Sequence, residues 1–403
     1  MTKPLLIILG IRPDVIRSAL ILKYLREELG SDFVFAWSGQ HYSDNLKDVF
    51  FRELGVSQPD INMGVSGSSD AELVASMISS TGRIMDEVDP AATVFLGDTN
   101  TVMGSLASAS RNVPIVHIEG CMRSYDWRMP EEKYRTVIDH LSDVIYAYLP
   151  EYKNQGTLEG LDAERIVVTG NPIVDILAEF FLNGRIRLGR DAKADLLAKY
   201  GVKPKEFFVM TAHRRENVES TAALSSIMSL AAAAQRPVVY PAGYRTQREL
   251  AARTIAIPDN VRLVDPVGYQ ELLELMVDSA AVLTDSGTIV EETSVLQVPS
   301  IQMRTATERP QVYDCGSSIK FDPHQPSDQQ SLEAVIDTAV ARGQSSWQHP
   351  FGDGKASRRI VDDLVARYRS DELGRGIPTE ARRPVSRNYG YGAQELGRPT
   401  LKS

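Results

Sequence analysis

Short apolar runs alternate with amphipathic stretches along this chain from one end to the other, and no other feature restricts its fold as much. Strands are expected at 5–9, 33–37, 93–96, 114–118, 144–148 and 166–168, and again at 207–210, 238–240, 261–264, 281–283 and 299–301. Helices fall between them: from Pro13 to about Leu29, from about Asp44, from about Asp70 to Met85, and over 173–182 and 194–200. Strand and helix in repeated succession make parallel sheets covered by helices, the α/β class.

At 403 residues the chain exceeds the size at which one core usually splits, so two units of this kind are expected. The turn residues Gly170-Asn171-Pro172 mark the break. We expect a Rossmann-like domain over 1–171 and a second over 172–354, with parallel sheets facing a central cleft. A helix over 355–369 is expected to return to the first domain, and the stretch 370–403 to be an irregular tail, an arm suited to a partner subunit of a homodimer.

Composition narrows the partners. The balance of 44 basic against 53 acidic residues, net −9, argues against nucleic acid. Two cysteines, Cys121 and Cys315, are too few for a disulfide framework and read as reduced thiols. The first apolar run, 5–9, is too short for a signal-peptide core, and no run approaches membrane-spanning length, so a cytoplasmic protein is expected. No His/Cys spacing suits a metal, and neither metal nor cofactor is expected.

Three carboxylates lie at or just beyond the ends of two neighbouring strands, where open parallel sheets bind their ligands. Asp98 sits in Gly97-Asp98-Thr99-Asn100, Glu119 in His117-Ile118-Glu119-Gly120, and Glu131 in Pro130-Glu131-Glu132. Asp98 reads also as a helix cap, and Glu131 as an acid favoured in a first helical turn. Glu119 directly follows a strand that should be buried, and has no such explanation. Clustered carboxylates raise one another's pKa values, which suits acid/base work. His117, on the same strand, reads equally as packed or catalytic.

Other strand ends point to phosphate. Arg12 stands before Pro13 at a helix start, which reads as a phosphate grip or as a capped turn. Thr284-Asp285-Ser286-Gly287-Thr288 joins a strand to a helix containing Glu291-Glu292. Its small and hydroxylated residues suit a nucleoside diphosphate, with a serine cap as the plain alternative. Glycines are too few for a dinucleotide fingerprint, and no Walker motif occurs. Ala212-His213-Arg214-Arg215-Glu216-Asn217 follows another strand and offers a cation and a proton donor to a leaving diphosphate.

These motifs resemble, in order and over nearly the whole chain, those of the non-hydrolysing UDP-N-acetylglucosamine 2-epimerases. The resemblance runs through Gly10-Ile11-Arg12-Pro13-Asp14, Ser38-Gly39-Gln40-His41, Gly97-Asp98-Thr99, His117-Ile118-Glu119, Pro130-Glu131-Glu132, His213-Arg214-Arg215-Glu216-Asn217, Thr284-Asp285-Ser286-Gly287 and Glu308-Arg309-Pro310. It is nearest the branch that serves capsule and O-antigen sugars. It implies the two-domain GT-B fold, a UDP-sugar substrate, and inversion at C2 by elimination of UDP to a 2-acetamidoglucal and its re-addition. It further implies Asp98, Glu119, Glu131 and His213 as catalytic residues. Arg12, Arg17, Gln40, His41, Arg135, Arg214, Ser286, Gly287, Thr288, Glu292 and Arg309 would bind substrate. Another UDP-N-acetylhexosamine, such as a 6-deoxy-L-hexosamine, is the alternative substrate. A GT-B glycosyltransferase is the alternative activity, disfavoured because a transferase needs at most one base on its first domain.

Overall fold

A computed structural model describes residues 3–39, 51, 53–325 and 327–375. Its strands form where the apolar runs predict them. The first sheet has seven parallel strands: β1 (Leu5–Leu9), β2 (Phe33–Trp37), β3 (Ile61–Asn62), β4 (Ala92–Leu96), β5 (Ile115–Ile118), β6 (Val144–Ala147) and β7 (Ile166–Val168), ordered 3-2-1-4-5-6-7. The second has six: β8 (Phe208–Thr211), β9 (Val238–Pro241), β10 (Val261–Val264), β11 (Ala281–Thr284), β12 (Ser300–Met303) and β13 (Ser318–Phe321), ordered 10-9-8-11-12-13. This is the GT-B arrangement. Two strands escaped the sequence reading, β3 and β13, and both are sheet edges: β3 has two residues, and Lys320 in β13 is exposed. Two residues are too few to show a period, and Ser318 and Lys320 break the apolar run of β13.

Both sheets reverse their winding at one place, between β1 and β4 in the first and between β8 and β11 in the second. The register aligns the C-terminal ends there, Ile8 beside Phe95 and Thr284 beside Thr211. The loops that leave those strands therefore part and open a crevice.

Six helices matter below: α1 (Arg12–Leu29), α2 (Asp70–Val88), α3 (Pro130–Leu141), α4 (Tyr269–Asp278), α5 (Gly287–Val295) and α6 (Ala356–Arg369). α1 begins one residue before Pro13, and the Asp14 carboxylate accepts from the Gly10 and Ile11 amides at 3.2 and 3.1 Å. The late helix α6 lies along α1. Asp175 caps it by accepting from the Ala356 and Ser357 amides at 3.1 and 2.6 Å. The Tyr146 hydroxyl donates to Asp363, the Tyr368 hydroxyl donates to the Lys3 carbonyl, both at 2.9 Å, and Arg358 covers the Tyr24 ring. The expected helix over 173–182 is α-helical only over Pro172–Ile176 and widens to a π-helix over Leu177–Leu182. A short helix, Glu372–Arg375, begins the stretch expected to be irregular, with Leu373 buried. The tail from 376, the helix expected from Asp44, and Gln40 and His41 lie outside the described residues, as does the side chain of Arg12.

Candidate active site

A cleft of about 550 Å³ lies between the two switch points. Asp98, Glu119 and Glu131 line it from the first sheet's side, together with Arg17 of α1. His213, Arg214, Ser286, Gly287, Thr288 and Arg309 line it from the second. Ten of the residues singled out in the sequence thus come together in one place. Arg135 is buried behind the cleft, and Glu292 is not among its lining residues: its Oε1 accepts from the Tyr269 hydroxyl of α4 at 2.8 Å.

The carboxylates stand in three different environments. Asp98 caps no helix, because Thr99 takes that place with its hydroxyl accepting from the Thr101 amide at 3.4 Å. Its Oδ2 instead accepts from Arg135 Nη2. Burial pushes the Asp98 pKa up, but Arg135, aided by Arg214 and Arg17, holds it below the ordinary carboxylate value. The rise expected from clustering is therefore corrected for Asp98: a buried guanidinium outweighs burial and its acidic neighbours.

Glu131 goes the other way. Burial pushes its pKa above the usual value and Asp98 adds to the rise, with Arg214 opposing. Its neighbour Glu132 is turned away to the preceding loop, where its carboxylate accepts from the Ser124 and Tyr125 amides and from Arg135 at 2.9–3.0 Å. Glu131, beside it, lines the cleft.

Glu119 is the most constrained of the three. Its backbone has φ +76, the left-handed region that a residue with a side chain seldom enters, as strained residues at functional sites do. Its Oε1 accepts from Arg309 Nη2 at 2.8 Å, and its Oε2 accepts from Arg17 and, at 3.3 Å, from the Tyr148 hydroxyl. Arg309, on the second sheet's side, also grips Glu291 at 2.6 Å and Glu308. A Cβ at Gly287 would lie 2.6 Å from Arg309 Nη1, so the glycine makes room for this guanidinium.

The facing wall is ordered by Asp285, fully buried, which accepts from the His213 and Arg214 amides at 2.9–3.1 Å and from the Asn217 side chain at 3.1 Å. The His213 ring stays half exposed, with Nδ1 3.4 Å from Asp285. Ser286 caps α5, accepting from the Ile289 amide at 3.4 Å, so the first amides of that helix face the cleft. Across the mouth Arg215 pairs with Asp70 of α2 at 2.5 Å.

Sequence reasoning missed the roles of Asp285, Glu308, Arg304 and Tyr148. Arg304 and Glu308, four residues apart, join at 2.9 Å. Asp285 carried a signal, since a carboxylate directly after a buried strand has as little bland explanation as Glu119. Tyr148, buried at the end of β6, carried none. Among the described residues there is no cluster of three potential metal ligands, and no helix long and apolar enough to cross a membrane.

A family model described as UDP-N-acetylglucosamine 2-epimerase matches residues 23–365. A Methanococcus maripaludis protein named UDP-N-acetylglucosamine 2-epimerase is 31% identical over 365 residues, covering 88% of this chain and 96% of that protein. The UDP-2,3-diacetamido-2,3-dideoxy-D-glucuronate 2-epimerase of Pseudomonas aeruginosa is 29% identical over 369 residues, 90% of this chain and 99% of its own. The crystal structure of Methanocaldococcus jannaschii UDP-GlcNAc 2-epimerase in complex with UDP-GlcNAc and UDP superposes with a TM-score of 0.82 at 29% identity, covering 90% of this chain and 99% of that one.

Proposed function

Since the chain belongs to the UDP-N-acetylglucosamine 2-epimerase family, a family of isomerases, we propose that it inverts C2 of UDP-N-acetylglucosamine by eliminating UDP and adding it back. One observation carries the assignment of roles. Two carboxylates of opposite tendency, Asp98 held ionised and Glu131 inclined to keep a proton, line one cleft whose far wall carries cations and a helix N-terminus. Two groups pushed apart in pKa are a base and an acid.

In this reading Asp98 takes the C2 proton. The C–H electron pair becomes the C1=C2 double bond as the C1–O bond breaks, and UDP leaves as an anion. Arg214, His213 and the first amides of α5 stabilise that diphosphate, and Ser286, Gly287 and Thr288 hold it close. Glu131 then protonates C2 from the opposite face while a UDP oxygen re-forms the bond to C1. The reverse direction exchanges the two roles. Glu119, gripped by Arg17 and Arg309, serves as the joint between the two walls. Arg12, Gln40 and His41 join the substrate contacts by family resemblance, and so would Glu292, which holds Tyr269 through Oε1 and does not line the cleft.

The carboxylates thus belong to a first domain taken as 1–171 and the diphosphate contacts to a second taken as 172–354, with 355–369 returning to the first. A cytoplasmic homodimer goes with this reading, and sedimentation at several concentrations measures the dimer. The function itself is tested by NMR in deuterated water with UDP-N-acetylglucosamine. Deuterium at C2 and an equilibrium with UDP-N-acetylmannosamine are expected. Absence of C2 exchange with this and other UDP-N-acetylhexosamines would sink the reading.

A further inference from the structure

We propose that His117 is a positioning residue for the reaction, fixing through its two ring nitrogens both the peptide before Asp98 and the turn after Glu119. The proposal rests on the epimerase reading above. It begins from an oddity of the sheet: in β5, flanked by Val116 and Ile118, a fully buried position carries an imidazole where a hydrocarbon would pack without needing partners.

The ring's partners explain it. Nε2 lies 2.8 Å from the Gly97 carbonyl, and a carbonyl only accepts, so Nε2 donates. Nδ1 lies 2.7 Å from Asp139 Oδ1 on α3. The other Asp139 oxygen accepts from the Cys121 amide at 3.0 Å and from Arg123 Nη1 at 2.7 Å. Arg123 is anchored in turn, forked onto Glu159 at 2.7–3.1 Å and donating to the Met122 carbonyl at 2.7 Å.

One imidazole thus ties together two backbone stretches that carry the chemistry. Gly97, at φ +82, is the residue before Asp98. Glu119 and Cys121, at φ +76 and +65, are non-glycine residues in the left-handed region, a conformation that surrounding contacts must hold. Between them, a Cβ on Gly120 would fall 2.7 Å from Asp139 Oδ1 and 3.1 Å from His117 Nδ1, so the turn is pressed against this pair. His117 does not line the cleft, and reaches the reaction only through Gly97 and the 119–121 turn.

The two links can be cut separately. In His117→Asn the amide nitrogen falls near the position of Nδ1, keeping Asp139 and losing Gly97. In His117→Gln it falls near Nε2, keeping Gly97 and losing Asp139. For the Asn variant kcat should drop by about 10²-fold, the scale of a 1 Å misplacement, with KM and UDP affinity within about twofold of wild type. The Gln variant should keep more of kcat. Amide exchange, read by mass spectrometry, should rise over 97–101 in the Asn variant and over 119–123 in the Gln variant. A wild-type kcat in the Asn variant, or losses that track melting temperature in both, would overturn the proposal. If the Asn variant does not fold, Asp139→Asn, which alters the same link as the Gln variant, should loosen 119–123 with the smaller loss of kcat expected of the Gln variant; an unchanged exchange over 119–123 would overturn the proposal. Should the wild-type protein exchange no C2 hydrogen at all, the functional reading fails, and the positioning role then stands or falls on the amide exchange alone.

Discussion

At the scale of single residues, identities at strand ends were legible and their electrostatic states were not. Asp98, Glu119 and Glu131 stand out in the sequence because carboxylates after buried strands lack a bland reason to be there. What decides their states is not local in the chain: Arg135 for Asp98, Arg309 for Glu119, and for Glu131 burial in the assembled cleft, with Arg214 opposing. The pH dependence follows with a definite sign. With Asp98 as the proposed base, working ionised above a pKa held low, and Glu131 as the proposed acid, working protonated below a pKa held high, kcat should be bell-shaped in pH. Arg214→Gln removes a charge that opposes the rise at Glu131, and should move the alkaline limb to higher pH. A limb that stays or moves down would reassign the acid. Asp98→Asn should abolish C2 exchange while leaving UDP affinity, measured by calorimetry, near wild type, since the proposed nucleotide contacts lie on the other wall. Arg309→Met should be severe for a different reason: it strands Glu119, Glu291 and Glu308 buried without their shared cation, a loss of about 3–5 kcal/mol in unfolding free energy measured by denaturant titration.

At the scale of elements, periodicity located eleven of the strands among the described residues and missed β3, only two residues long, and β13, where Ser318 and Lys320 interrupt the apolar run. It joined Pro172–Ile176 to Leu177–Leu182 without showing that the helix widens, because a π turn has the same composition as the α turns around it. It also left open whether Asp98 or another residue caps the helix that follows, and Thr99 takes that role, freeing Asp98. The N-terminus of α5 permits a direct measurement. Ser286→Ala removes the cap, and should cost about 1 kcal/mol of stability and weaken UDP binding together. Gly287→Ala should leave α5 formed, as judged by circular dichroism, and raise KM instead, because the new methyl displaces the Arg309 guanidinium that three carboxylates hold. If Gly287→Ala leaves KM unchanged, Arg309 does not need its observed place.

At the scale of the whole molecule, two parallel sheets and the cleft between them were legible from strand and helix succession alone, whereas the ion pairs that cross the cleft were not, since pairing over such separations has no local signature. Those pairs differ in consequence. Asp70 and Arg215 are both exposed, so cutting that link should change stability by less than about 1 kcal/mol. The buried set is acid-sensitive. Burial pushes the Glu308 pKa up, but Arg304 and Arg309 hold it well below the ordinary value. Such a carboxylate contributes stability that is present above its unfolded pKa and lost as pH falls through its folded one. The second half, which holds Glu308 with Arg304 and Arg309, should therefore lose stability as pH falls below the usual carboxylate range, read as a denaturant midpoint that drops with pH.

The docking of α6 on α1 also bears on how the protein is made. α1 leaves the ribosome before either sheet is complete, and α6, which covers it, only after both. A nascent chain that has completed the first sheet still shows the surface of α1 on which Tyr24 will meet Arg358, and shows it throughout synthesis of the second sheet. Domains usually fold one after another as they emerge. Here the unit that starts first finishes last, and a chain cut short before residue 356 would carry an incomplete first half however well its second had folded.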